Sequence, residues 1–98
     1  MEITAIATIK TNEGTKSTLD LDIPLLIDLV PARKFKVTQV LESLGHSDVE
    51  VESENMEVFN AKSTVNGKKQ ETTIEFGYAL RHGDRLFVLN ELHDLIKK

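Results

Sequence analysis

The sequence has no cysteine. That excludes disulfides, thiolate zinc sites and cysteine nucleophiles, and it suits a reducing compartment. It also has no apolar run near ~18 residues, so no transmembrane helix is expected. Residues 1–10 lack a basic stretch followed by a long apolar one and do not read as a secretory signal. A cytoplasmic protein without membrane insertion is the expectation. Positive charge is in short supply too: twelve Lys and Arg against sixteen Asp and Glu give a formal net charge of −4. A nucleic-acid binder needs a basic face to neutralise phosphates, so that class is disfavoured. The 98 residues suffice for one domain, spanning 1–98, with one modest core.

What is present alternates. Ile3, Ala5, Ala7 and Ile9 recur at every second position, which predicts a strand with one buried face. Asn12-Glu13-Gly14 predicts a turn, and Leu19, Leu21 and Ile23 alternate with polar residues to complete a hairpin. Pro24 ends the second strand. Pro31 suits the first turn of a helix, where its missing N–H costs nothing. Val37, Val40, Leu41 and Leu44 follow the i, i+3, i+4, i+7 pattern of an amphipathic helix, and Gly45 supplies its left-handed cap. Val49 and Val51 predict a short strand. Two further strands, 58–65 and 68–74, flank Asn66-Gly67, a strong signal for a type I′ hairpin turn. After the short apolar segment from Phe76 to Leu80, Gly83-Asp84 turns the chain into a last strand at Leu86–Leu89. Asn90 is placed to cap a short terminal helix with Leu92, Leu95 and Ile96 on one face. Leu19, Leu21, Val37, Val40, Leu41, Leu44, Leu86 and Val88 are the expected core.

Residues that could carry chemistry are few. His46, His82 and His93 have no i, i+4 partner, and nothing in their spacing predicts a metal site. Ser43, His46 and Asp48 lie close in sequence but have no nucleophile elbow or glycine-rich oxyanion loop. No cofactor and no catalytic residue is expected. Asp48, Glu50, Glu52, Glu54 and Glu57 form an acidic run with no intervening base. A strand would place the first three on one face, where they could meet a basic partner. Arg33, Lys34 and Lys36 cluster at the helix start, where the macrodipole disfavours cations, and the misfit hints at a contact surface.

An early hairpin, one amphipathic helix and a Gly83-Asp84 turn into the closing strand together resemble the ubiquitin-like β-grasp domains. The resemblance covers residues 1 to about 89. It implies an α+β fold in which a mixed sheet wraps the helix, with the first and last strands side by side at its centre. Within that superfamily, Leu19-Asp20-Leu21-Asp22-Ile23-Pro24, the helix from Val37 to Leu44 and the ending from Phe76 to Leu89 look like the YukD/EsaB-type proteins of type VII secretion. Val65-Asn66-Gly67 with Gly83-Asp84-Arg85-Leu86 is similar to sulfur carriers of the ThiS and MoaD type. Those carriers end in Gly-Gly, whereas no glycine follows Gly83 here, so covalent carriage is not expected.

The sequence therefore predicts an α+β, β-grasp domain that acts without catalysis as a protein-interaction module. The resemblance implies an accessory role in bacterial secretion. The other reading is a small acidic inhibitor or immunity protein from a mobile element that binds a basic protein. The partner is expected to be another protein, and exposed edge strands leave homodimerisation by strand addition open.

Overall fold

A computed structural model describes residues 2–89. Its elements are β1 (Glu2–Thr11), β2 (Lys16–Asp20), α1 (Val30–Ser43), β3 (Ser47–Ser53), β4 (Val58–Val65), β5 (Lys68–His82) and β6 (Arg85–Leu89). The fold is α+β: one sheet in the order β2-β1-β5-β4-β3, with β6 also paired to β5 and one helix laid on a single face. The expected short helix at the C-terminus lies outside the described residues.

Local chemistry sets the boundaries. Gly14, at φ 91, closes the β1–β2 turn, where the Gly14 N–H donates to the Thr11 carbonyl. Asn66 and Gly67, at φ 52 and 78, make the left-handed pair of a type I′ turn between β4 and β5. The helix ends in a Schellman motif. Gly45, at φ 95, donates its N–H to Glu42, and the His46 N–H reaches back to the Leu41 carbonyl.

Strand 5 organises the sheet. It runs for 15 residues straight through Gly77, joining the predicted strand at 68–74 to the apolar segment after it. Along one edge it pairs with the whole of β1, from Glu2↔Arg81 to Thr11↔Thr72. Along the other edge its first half pairs with β4 and its last residues with β6. Every one of these pairings is antiparallel. The expected mixed sheet, with first and last strands adjacent, is therefore not seen among the described residues. Strand 1 lies between β2 and β5, and the two-residue turn at Gly83-Asp84 folds β6 directly back onto β5, where it cannot reach β1.

The register divides the sheet into two faces. Ala5, Ala7 and Ile9 stand opposite Tyr78, Phe76 and Ile74, and Phe59 and Ala61 stand opposite Ile74 and Thr72. Opposed residues share a face, and the buried core lies on this one, beneath Leu26, Val37, Val40 and Leu41. Phe59 meets Phe76 edge-on, ring centroids 5.5 Å apart. The expected core is corrected at three positions. Leu44 caps the helix and is 49% exposed. Val88 pairs with Ala79 and Leu86 with Arg81, which puts both on the face away from the helix, and Val88 is 54% exposed. Leu19 and Leu21 pack at the core's margin.

Candidate interaction surface

Segment 24–29, between the two prolines, has no regular structure, yet its backbone is held at several points. Leu26 is buried, and its N–H donates to the Tyr78 hydroxyl at 3.3 Å. Arg33 holds the rest. Its side chain is buried in the first turns of α1, where Nε donates to the Ile27 carbonyl at 2.7 Å and Nη2 to the Asp28 carboxylate at 3.0 Å. Nη1 donates to the Met56 carbonyl in the β3–β4 turn. One guanidinium thus joins the pre-helix segment, the helix and that turn. A planar fork of donors suits this task, whereas a lysine ammonium could reach fewer of the acceptors.

Anchoring Leu26 leaves its neighbours outside. Leu25 is 71% exposed, Ile27 64% and Leu29 65%. Phe35, on the side of α1 turned from the core, is 64% exposed, and Met56 lies exposed in the adjoining turn. Lone exposed apolar residues are ordinary, but several large ones gathered within a few residues make this stretch the candidate contact surface.

The predicted basic cluster is therefore divided. Arg33 is a structural tie, while Lys34 and Lys36 are half-buried and join no ion pair among the described residues. Leu29 occupies the N-cap without a side-chain cap, and no acidic residue lies in the first turn. The positive end of the helix thus has no anion in its own first turn, and the nearest carboxylate, Asp28 just before the N-cap, is engaged by Arg33.

The acidic run is also divided. Asp48 has φ 50 and falls within a register shift between Ser47 and Glu50, so a bulge separates it from the regular pleat. Glu50 and Glu52 share the open sheet face, opposite Lys62 and Asn60. A shallow trough of about 330 Å³ on that face is lined by Lys10 and Lys62 as well as Glu50, Glu52 and Glu71, so its charge is mixed. Glu54 accepts from Asn60 Nδ2 at 2.7 Å, and Glu57 is exposed in the turn that Asn55 closes by accepting from the Glu57 and Val58 N–H groups.

Two polar constellations escaped the sequence reading. Arg81 bridges Asp22 (2.8 Å), Glu2 (2.9 Å) and Asp20 (3.1 Å), and hydrogen bonds to Asp22 and Glu2 raise its pKa further above its ordinary value. Asp20 also accepts from the Thr4 hydroxyl and the Asp22 N–H, which hold its carboxyl below the usual range. This cluster ties the ends of β1, β2 and β5 together. In the second, His46 Nδ1 lies 2.7 Å from the buried Ser63 hydroxyl, and burial lowers the imidazole pKa. Ser43 instead donates to the Val40 carbonyl, so the Ser43, His46 and Asp48 grouping is not joined by these bonds. The β-hairpin pairing could have suggested Asp20 near β1, but neither constellation has a local motif.

Among the described residues, no group of three His, Asp or Glu side chains is placed to hold a metal, and no helix is long and apolar enough to cross a membrane. Compared with known protein families, curated proteins and solved structures, the chain matches none.

Proposed function

We propose that this domain is a non-enzymatic protein-interaction module whose contact surface is the apolar shoulder where the chain enters α1. The observation that carries the proposal is the exposure of Leu25, Ile27 and Leu29 on a backbone pinned by Leu26 and Arg33. A secretion-accessory role of YukD/EsaB type is a narrower form of the same reading. The order hairpin, helix, strands and the Gly83-Asp84 turn support it, whereas the antiparallel pairing of β1 with β5 does not support a β-grasp arrangement.

The test is affinity capture with three forms of the protein: wild type, Leu25→Ser/Ile27→Ser/Leu29→Ser, and Glu50→Gln/Glu52→Gln/Glu54→Gln. A partner retained by wild type and by the Gln variant, and lost from the Ser variant, is the expected result. Equal retention by wild type and the Ser variant would refute the site. Loss from the Gln variant alone, with steep salt dependence, would favour the acidic-inhibitor reading, which draws on the exposed Glu50 and Glu52 of β3.

A further inference from the structure

Asn66 is the one asparagine in the sequence that glycine follows; Asn12, Asn55, Asn60 and Asn90 precede residues with side chains. A following glycine leaves its backbone nitrogen unshielded, so that nitrogen can reach the asparagine's own side-chain carbonyl. Asn66 and Gly67 are both exposed at the tip of the β4–β5 hairpin. Hydrogen bonds hold the side chains of Asn55, which accepts from the Glu57 and Val58 N–H groups, and of Asn60, which donates to Glu54.

Ring closure needs the Gly67 nitrogen to eclipse Asn66 Cβ about the Cα–C bond. The type I′ turn forbids this, because a ψ of about +30° at its first central residue sets that nitrogen almost opposite Cβ. The type II′ turn keeps the same positive φ but has a ψ of about −120° there, which is the eclipsed arrangement. Asn66 already holds φ 52. Rotating the 66–67 peptide plane alone converts one hairpin turn into the other, and Gly67 absorbs the change from φ 78 to a negative φ. Nothing lies within 4 Å of a Cβ built at Gly67, so the plane has room to turn. Val65↔Lys68 closes the hairpin in both forms.

We propose that Asn66 is a self-modifying site, deamidated within the folded protein through this rotation. Hydroxide takes the Gly67 amide proton, and the nitrogen attacks Asn66 Cγ to form a new C–N bond. The bond from Cγ to the side-chain nitrogen breaks, and ammonia leaves with a proton from water. The succinimide that results fits the type II′ geometry. Water then opens either ring carbonyl, leaving aspartate or isoaspartate. Lys68 and Lys69, both exposed just after the turn, favour the amide anion on which the attack depends. Either product adds a negative charge. Aspartate keeps the turn, since Asp-Gly also suits type I′. Isoaspartate places an extra methylene in the backbone, so Val65 and Lys68 no longer face each other across two residues and the hairpin frays from its tip.

The test keeps the whole chain at mildly alkaline pH in heavy-oxygen water, folded or unfolded in urea, and follows it by peptide mass mapping. An isoaspartyl methyltransferase assay separates the two products. The expected result is loss of ammonia and then uptake of heavy oxygen at Asn66 ahead of every other asparagine. The folded chain should react within about tenfold of the unfolded one, because the rotation needs no local unfolding. A folded-state rate more than about tenfold slower would mean that the hairpin must first open, and it overturns the proposal. Modification of Asn12 or Asn60 as fast as Asn66 overturns it as well. Asn66→Asp should keep the wild-type urea midpoint, whereas the purified isoaspartyl form should unfold at lower urea. Equal midpoints for those two forms would refute the assigned turn.

Discussion

Replacing Arg33 by Met separates the structural role of this residue from the contact role its sequence position suggests. Methionine preserves the unbranched stem, so little packing is lost, but all three donor contacts disappear. The Ile27 and Met56 carbonyls each lose a charged donor. Such a bond contributes about 1.5–3 kcal/mol when enclosed, and less where water can take the donor's place. Both sites are only partly buried, so the lower end applies to each. Asp28 is 91% exposed at its side chain, so its loss of a partner contributes under about 1 kcal/mol. The sum is a destabilisation of about 2–4 kcal/mol. With a urea slope of about 1–1.5 kcal/mol/M for a domain of this size, the midpoint should fall by roughly 1.3–4 M. Arg33→Lys should fall between wild type and Arg33→Met, and Asp28→Asn should change stability by less than about 0.5 kcal/mol. Should Arg33→Met unfold within about 0.5 kcal/mol of wild type, Arg33 would be a surface cation and the pinned shoulder would lose its support.

Four other substitutions probe the framework. Gly45→Ala should cost about 1 kcal/mol, because φ 95 is strained for alanine although no atom lies within 4 Å of the new Cβ. Gly77→Ala should gain about 0.4–1 kcal/mol, since its Cβ would meet only Ile6 Cγ1 at 3.9 Å. Equal effects at the two glycines in chemical denaturation would contradict the assigned backbone. Thr72 is buried, and its hydroxyl has no partner among the described residues, so Thr72→Val should be neutral or stabilising by up to about 1 kcal/mol; a loss above about 0.5 kcal/mol would reveal a hydrogen bond there. The lowered pKa of His46 means that the folded state favours the neutral ring. The contribution is complete above the ordinary value of 6.5 and is lost as pH falls from there through the folded-state pKa, because the unfolded chain takes the proton first. Urea midpoints of wild type and His46→Asn should therefore converge on acidification, and a pH-independent difference would refute the assignment.

The legible parts of the sequence were local. Asn66-Gly67 and Gly45 each demand a backbone conformation that few residues adopt, and both occupy the predicted turn or cap. Val37, Val40 and Leu41 share a helical face whatever they pack against. Strand pairing was less legible, because Phe76 to Leu80 has non-polar residues on both faces. Phe76 and Tyr78 turn to the core, while Gly77 and Ala79 turn away, and only the register of the Gly83-Asp84 turn decides which face β6 joins. The acidic run looked continuous because spacing alone does not show the bulge at Asp48. Arg33 looked like one of three surface cations because its acceptors are backbone carbonyls, which no side-chain pattern announces.

The same hidden bonds bear on how the shoulder can bind. A free loop carrying Leu25, Ile27 and Leu29 would lower its free energy by turning those side chains inward, since each fully buried side chain is worth about 1.5–3 kcal/mol. Here it cannot do so. Pro24 and Pro31 restrict the backbone at both ends, Leu26 occupies the core position, and Arg33 fixes the Ile27 carbonyl from below. The exposure is thus built into the framework. A surface already held in one conformation loses little further backbone freedom when covered, so more of its apolar burial is available as affinity. Loosening the segment without altering its exposed side chains should therefore weaken binding. Arg33→Lys, assayed where it remains fully folded, should lower affinity through faster dissociation, with the association rate nearly unchanged. An unchanged dissociation rate, alongside a measurable loss of stability, would mean that the pinning serves the fold alone.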